Sequence, residues 1–164
     1  MDGDIAARLR AVEDHLAIQQ LVNGYGYAVD GLNAKAVGDC YTEDGVYAVA
    51  DMPPFVGRDA IAAITRSPLH RAYVAAGCAH MSTVPHILID GDTAVATCHT
   101  MVGMHGADGF FIGRLSASRL ECARQADGAW RIVRRENWLL DGNPEGPRLL
   151  ARLKDGPAGD RDQP

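Results

Sequence analysis

The chain has 164 residues, which suits one domain and leaves no room for two independent folds. Its hydrophobic fraction of 47% and charged fraction of 23% are those of globular proteins and argue against disorder or a coiled coil. The net charge of −5 disfavours nucleic acid as a partner, because such a surface repels phosphates.

The cysteines and the N-terminal residues indicate the cellular compartment in which the protein is expected. The four cysteines are scattered without a Cys-x-x-Cys motif, and the chain opens with Asp2 and Asp4 instead of a positive, apolar signal segment. Reduced thiols and a cytoplasmic location are therefore expected. No apolar run approaches the ~18 residues of a membrane span, so no membrane association is expected.

The first half of the chain predicts helices. Apolar residues from Ile5 to Val29 recur every three or four positions, which indicates one long amphipathic helix. Gly31 is expected to end it, and Asn33 to cap a short second helix. A strand is predicted at 46–49, followed by a Pro-Pro break and by helices at 58–65 and around 69–76.

The second half predicts strands. Beyond Gly77 apolar and polar residues alternate, which indicates one long strand to residue 89 with His80 and Ser82 on the same face. Pro85 lies inside that strand and predicts an edge position or a bulge. Turn signals then separate strands at 93–104, 110–123 and 130–140, and a short helix at 149–153 precedes a polar tail, 155–164, expected to be mobile.

This order of elements indicates the α+β class, with helices on one face of an antiparallel sheet. Six segments, in this order and spacing, also resemble a known family: Leu21-Val-Asn-Gly-Tyr-Gly-Tyr-Ala-Val-Asp, Cys40-Tyr-Thr-Glu-Asp-Gly-Val-Tyr, Phe55-Val-Gly-Arg-Asp-Ala-Ile, Ala79-His-Met-Ser-Thr, Ile89-Asp-Gly-Asp-Thr-Ala-Val-Ala and Asp127-Gly-Ala-Trp-Arg-Ile-Val. The chain resembles the SnoaL-like branch of the nuclear-transport-factor-2-like superfamily, which includes scytalone dehydratase and bacterial bile-acid dehydratases.

The resemblance implies a cone-shaped α+β barrel, in which a curved antiparallel sheet wraps the long N-terminal helix around an apolar pocket. It implies a family domain over residues 1–145, with residues 146–164 forming a C-terminal short helix and mobile tail. It also implies a homodimer or homotrimer that buries the outer face of the sheet. The same fold hosts enzymes and binding proteins, so function has to be argued from the pocket.

Four residues form the predicted catalytic set. The resemblance implies a catalytic aspartate at Asp30, five residues after Tyr25, and a histidine at His80 that acts with it as general acid and base. Tyr47 resembles a strand tyrosine of the dehydratases, and both tyrosines would donate hydrogen bonds to a substrate enolate. A carboxylate fixes the imidazole tautomer and raises its basicity. The alternatives are a solvated aspartate, a core histidine and tyrosines that only pack.

Three further residues are predicted to bind substrate. His99 resembles the second histidine of scytalone dehydratase, although packing or an oligomer interface explains it as well. Ser118 is a candidate polar contact in the pocket, with simple packing against the helix as its alternative. Arg135, predicted to share a strand face with Arg131, would bind a carboxylate or thioester unless it lies at a solvated sheet edge.

Metal and cofactor sites are not expected. The histidines have no ligand spacing, and the pair Gly24 and Gly26 lacks the third glycine of a dinucleotide loop. His15, His70, His86 and His105 are assigned no role. The resulting hypothesis is a cofactor-independent dehydratase that acts through Asp30 and His80 on a small apolar cyclic carbonyl compound, polyketide- or steroid-like. Its alternatives are a polyketide cyclase, a ketosteroid-type isomerase or a non-catalytic binding module.

Overall fold

The computed structural model describes residues 2–156. It begins with one long helix, α1 (Asp2–Asp30), which confirms the predicted helix and its end before Gly31. The C-terminal half of α1 is buried, with Ile18 at 0% and Val22 at 3% exposure. The N-terminal half presents an apolar stripe to solvent, made of Ile5, Leu9, Val12 and Leu16.

Short elements follow α1. The side chain of Asn33 accepts a hydrogen bond from the Ala36 N–H, which confirms the predicted cap of the second helix. Ser67 caps a later helix in the same way. These elements are α2 (Ala34–Asp39), β1 (Tyr41–Val49), β2 (Phe55–Val56), α3 (Arg58–Ala62) with a 3-10 turn at Ala63–Arg66, and α4 (Pro68–Ala76).

The rest of the sheet is formed by β3 (Cys78–Ser82), β4 (His86–Asp90), β5 (Thr93–Gly106), β6 (Gly109–Arg124) and β7 (Trp130–Leu139). The strand order is β2-β1-β7-β6-β5-β3, and β4 also pairs with β5. The run β4 to β7 is antiparallel as predicted, whereas β1 pairs in parallel with β7. The sheet curves around α1 without closing.

The single long strand predicted after Gly77 is wrong, because the chain leaves the sheet between β3 and β4. Pro85 lies in this gap and has no N–H to donate to a strand ladder. Thr83 keeps the gap close to β5 through its N–H, which donates to the His99 carbonyl at 3.0 Å. The alternation of apolar and polar residues continues across Pro85, so it predicted one strand with an edge position or a bulge at the proline instead of two strands.

A bulge in β7 corrects a second prediction. Glu121 of β6 pairs with Arg134 while Cys122 pairs with Ile132, so Val133 is an extra residue. The extra residue shifts the alternation by one position. Arg135 therefore turns inward, on the same side as the fully buried Ile132, and does not share a face with Arg131.

The C-terminal helix, α5 (Glu145–Ala151), begins and ends earlier than the predicted 149–153. It packs against β6 and β7. Arg119 on the outer face of β6 donates to the carbonyls of Arg152 at 3.1 Å and Asp155 at 2.8 Å. The domain boundary after residue 145 stays a prediction, and residues 157–164 of the predicted mobile tail at 155–164 lie outside the described residues.

Within residues 2–156, no helix combines enough length with enough apolar character to cross a bilayer.

Candidate active site

Asp30 and His80 form a close pair. Asp30 is the last residue of α1 and His80 is the central residue of β3. The ring Nδ1 of His80 lies 2.6 Å from Oδ1 of Asp30, and the His80 backbone N–H donates to Oδ2 at 2.6 Å. Two hydrogen bonds therefore hold one carboxylate against one histidine.

A glycine allows this approach. A Cβ on Gly26, one turn before Asp30, would lie 2.3 Å from the carbonyl oxygen of His80. Real atoms do not come that close, so any larger residue would push α1 away from β3. Gly26 thus allows the end of the helix to lie against the strand.

The pair is electrostatically polarised. Partial burial raises the pKa of Asp30, but the hydrogen bonds from His80 outweigh this and hold the pKa below its usual value. Asp30 is therefore a carboxylate at neutral pH. A carboxylate can only accept, so Nδ1 of His80 carries the hydrogen. In the neutral imidazole this leaves Nε2 as an unprotonated base.

An apolar cavity of about 300 Å³ lies beside the pair. His80, Tyr25 and Tyr47 line it, and Asp30 lies behind His80. Most of the remaining wall is apolar and comes from β1, β2, the 3-10 turn and α4, including Val49, Phe55, Ile64 and Tyr73. The arrangement suits an apolar ligand that meets a few polar groups.

The two tyrosines can both donate hydrogen bonds. Their rings meet edge to face with centroids 6.0 Å apart, and both are buried. The amide Nδ2 of Asn137 donates to the Tyr47 hydroxyl at 3.2 Å, so the hydroxyl hydrogen of Tyr47 remains available to a ligand. Burial raises the pKa of Tyr25 well above its usual value, which keeps Tyr25 a neutral phenol donor.

Arg135 lies behind the tyrosines. Its guanidinium is 4.5 Å from the centroid of the Tyr25 ring and 5.0 Å from that of Tyr47, and its Nε donates to Oδ1 of Asn137 at 3.2 Å. It lines a second space of about 20 Å³, large enough for one water-sized group, together with Tyr25, Tyr47 and His80. Its position places the cation against the tyrosine rings and not in the wall of the larger cavity.

Ser118 does not reach the larger cavity. It is fully buried, donates to Oδ1 of Asn137 at 2.8 Å and shares a hydrogen bond with Thr100. The predicted substrate contact is corrected to a place in the network behind Tyr47. Ser118 and Arg135 both bond the amide oxygen of Asn137, which directs the amide nitrogen to Tyr47.

His99 lies on the other side of the sheet. Its neighbours Cys98 and Thr100 face the interior, where Cys98 belongs to the core and Thr100 bonds Ser118. Alternation along the strand therefore points His99 outward, and it is exposed. The predicted role in substrate binding does not fit this position.

Two residues of the cavity wall are not among the predicted site residues. His70 is buried on α4 and lines the large cavity, and so does the half-buried Arg114 on β6. No local signal marks His70, because its partner, the carbonyl of Val29, is distant in sequence. Arg114 precedes the inward-facing Ser116 and Ser118 with period-two spacing, so the alternation that singles out Ser118 also places Arg114 on the inner face of the sheet.

Three metal-binding atom types also meet at the pair. The ligand atoms of Asp30, Cys78 and His80 lie within 4.8 Å of one another, the one such group in residues 2–156. However, Oδ1 of Asp30 and Nδ1 of His80 are already joined by a hydrogen bond. Burial and the nearby Asp30 carboxylate raise the pKa of Cys78, which disfavours the thiolate that a metal requires.

An open curved sheet around one long helix, with a polar pair at an apolar cavity, defines the nuclear-transport-factor-2-like class of proteins. Sequence comparison places the chain within that class. Residues 10–136 match the model of the SnoaL-like domain, and the chain belongs to that family. No curated protein matches it significantly.

Solved structures agree with this assignment. A protein of this class with a cystatin-like fold from Novosphingobium aromaticivorans shares 42% identity, with 90% of this chain and 96% of that chain covered and a TM-score of 0.87. A Catenulispora acidiphila structure in complex with S-DNPA shares 26% identity, with 89% and 98% covered and a TM-score of 0.63. A ketosteroid isomerase-like protein from Erwinia carotovora atroseptica shares only the fold, at 18% identity, 79% and 98% coverage and a TM-score of 0.58.

Proposed function

We propose that this protein is a cofactor-independent lyase that dehydrates a small apolar cyclic carbonyl compound, polyketide- or steroid-like in character. The observation that carries the proposal is the contact of His80 with Asp30 beside an apolar cavity. The Nδ1 edge of the imidazole is bonded to a carboxylate, and the ring also lines the cavity. This is the minimum equipment for moving a proton to and from an apolar ligand.

The first step is proton abstraction. Nε2 of His80 takes a proton from the carbon next to the substrate carbonyl, and the electrons of that C–H bond move to the carbonyl oxygen to form an enolate. Asp30 stabilises the imidazolium through its bond to Nδ1. Tyr25 and Tyr47 donate hydrogen bonds to the enolate oxygen.

The second step is loss of water. The enolate electrons return to form a carbon–carbon double bond and expel the hydroxyl group on the next carbon. The proton on Nε2 of His80 moves to that leaving oxygen, so water departs and the imidazole is again neutral. The enzyme ends in its starting state, and no electron donor or acceptor is needed.

Isomerisation and cyclisation begin with the same abstraction. The likeness in fold to a ketosteroid isomerase-like protein keeps them as alternatives, because an isomerase returns the proton to another carbon of the substrate and releases no water. A binding module would hold the ligand and transfer no proton. The three functions therefore differ in their products.

A bicyclic probe separates them. Dehydration of 4-hydroxy-2-tetralone gives 2-naphthol, which fluoresces, and proton abstraction alone exchanges hydrogen of 2-tetralone for deuterium in heavy water. We expect both reactions, each lowered by about 10²-fold or more in His80→Ala. His99→Ala on the outer face is the matched control and should keep full activity. Exchange without naphthol would indicate an isomerase, and neither reaction would support binding alone.

We propose self-association as a dimer or trimer as well. Apolar side chains are exposed on the β5–β6 hairpin, where Phe110 is 87% exposed and Ile112 61%, and on the N-terminal stripe of α1. Such surfaces are commonly covered by a partner.

Light scattering should give the mass of a dimer or trimer. Phe110→Ser with Phe111→Ser, compared with Leu9→Ser with Val12→Ser, should identify the covered surface, and a monomer at high concentration would contradict the proposal.

A cytoplasmic location is also proposed. All four cysteines are free thiols, as expected of a reducing compartment. Fractionation of cells that express the chain checks this, and recovery of the protein outside the cytoplasm would contradict it.

A further inference from the structure

His70 is a second histidine in the cavity wall, and the proposed reaction does not use it. It is only 6% exposed and lines the large cavity. The centroid of its ring lies 5.6 Å from that of His80. A ligand that reaches His80 therefore also comes close to His70.

The ring of His70 is fixed at one nitrogen. Nε2 lies 2.9 Å from the backbone carbonyl of Val29, and the His70 backbone N–H donates to Ser67. A carbonyl can only accept, so Nε2 carries the hydrogen. In the neutral ring Nδ1 then has a lone pair, and within residues 2–156 it makes no hydrogen bond.

The other polar groups of the cavity are mostly donors. His80 presents the base, and groups that can donate hydrogen atoms come from Tyr25, Tyr47, Tyr73, Ser67 and Arg114. A ligand with only a carbonyl would satisfy the donors and would leave Nδ1 of His70 without a partner. A buried acceptor left unpaired is costly, so a ligand that supplies a hydroxyl hydrogen is favoured.

We propose that Nδ1 of His70 accepts a hydrogen bond from a ligand hydroxyl, and that this residue makes the cavity select hydroxylated cyclic compounds. The inference deepens the proposed function, because it rests on the same cavity as the ligand site. His70 is a specificity residue in this scheme, and His80 remains the base.

The test compares two probes that differ in one hydrogen-bond donor, 2-naphthol and 2-methoxynaphthalene. Binding is measured by fluorescence titration at about pH 8. The wild type should bind 2-naphthol about two- to tenfold more tightly, the range of one net hydrogen bond. His70→Gln should make the two affinities about equal.

Glutamine is chosen because its side-chain nitrogen reaches the position of Nε2. The bond to Val29 and the attachment of α4 are then kept, while the acceptor at Nδ1 is lost. His99→Gln is the matched control and should keep the preference for 2-naphthol. The proposal is overturned if His70→Gln keeps the wild-type preference for 2-naphthol. It is also overturned if the preference is lost in His80→Gln but kept in His70→Gln, or if the wild type does not bind 2-naphthol.

A second test uses only the wild-type protein, so it does not require that the His70→Gln variant folds. In protein labelled with ¹⁵N histidine, the Nδ1 resonance of His70 should have the chemical shift of an unprotonated nitrogen. This chemical shift should change when 2-naphthol is added but not when 2-methoxynaphthalene is added. An unmoved resonance overturns the proposal. Neither readout requires turnover, so a protein that prefers 2-naphthol but dehydrates nothing would refute only the proposed function.

Discussion

The two halves of α1 have similar apolar spacing and opposite environments. In the N-terminal half, Leu9 and Leu16 are 56% and 57% exposed, whereas in the C-terminal half Ile18 and Val29 are almost fully buried. The difference arises because the curved sheet covers the second half, whereas in the first half it contacts Asp14 and leaves the apolar stripe uncovered. Helical periodicity therefore predicts an apolar stripe, but the position of the sheet decides whether the stripe is covered.

The two halves also each hold a carboxylate with a lowered pKa. Asp14 receives hydrogen bonds from Arg124 at 2.6 Å and Trp130 at 3.1 Å, and the bond from Arg124 is the main cause of its lowered pKa. Asp30 is held by His80 beside the cavity. The first pair joins a helix to the sheet, and the second holds an imidazole in the wall of the cavity. A perturbed carboxylate indicates chemistry only when its partner faces a cavity.

The largest expected difference between the halves is in stability. Ile18→Ala should lower the free energy of unfolding by about 2–5 kcal/mol, because it leaves a cavity in the core. Leu9→Ala should change it by less than about 0.5 kcal/mol in dilute protein. Urea unfolding followed by circular dichroism measures both. Similar losses in the two variants would contradict the different coverage of the two halves.

The carboxylates should differ in their effect on activity. Asp30→Asn should lower the rate of 4-hydroxy-2-tetralone dehydration by about 10²-fold, because the imidazolium loses its charged partner. Asp14→Asn should keep the rate per folded molecule, although it weakens the link to Arg124. The rates are measured after correction for the folded fraction. Equal losses would show that both carboxylates act through the fold.

The glycines of α1 offer a smaller contrast. Gly26→Ala should destabilise the protein by about 1–3 kcal/mol, because its Cβ would meet the His80 carbonyl. Gly24 has nothing within 4 Å of such a Cβ, so Gly24→Ala should stabilise the helix by up to about 1 kcal/mol. Thermal unfolding of the two variants checks the signs. Stabilisation by Gly26→Ala would contradict the close helix–strand approach.

The smallest effect expected is on pH dependence. The folded pKa of Asp30 is lowered, so its carboxylate contributes stability above the unfolded value of about 3.9, and this contribution is lost as the pH falls through the folded value. The stability difference between wild type and Asp30→Asn should be constant above about pH 5 and should shrink as the pH falls below that and through the folded value. Urea unfolding at each pH measures it, and a constant difference would argue against the lowered pKa.

The sequence was sufficient where neighbours along the chain decide the outcome. Asn33 caps α2 because its side chain reaches an N–H three residues later, and Gly31 follows the end of α1. The meander β4 to β7 follows from alternation and turn residues. The resemblance to known dehydratases also directed attention to Asp30 and His80, which the structure brings into contact, while their catalytic roles stay predictions.

Contacts between distant residues required the tertiary structure. His70 belongs to the cavity because α4 packs against the end of α1, and Arg135 faces inward because of the bulge in β7. His99 faces outward by strict alternation, against the expectation from the resemblance.

What the sequence by itself determined is therefore the α+β class, the long helix and the residue types of the candidate site. The tertiary structure alone decided the parallel pairing of β1 with β7, the second histidine of the cavity and the exposure of the N-terminal stripe of α1. The physical reason is the range of the forces involved. Capping and periodicity act within a few residues, whereas burial depends on which distant strand or helix arrives to exclude water.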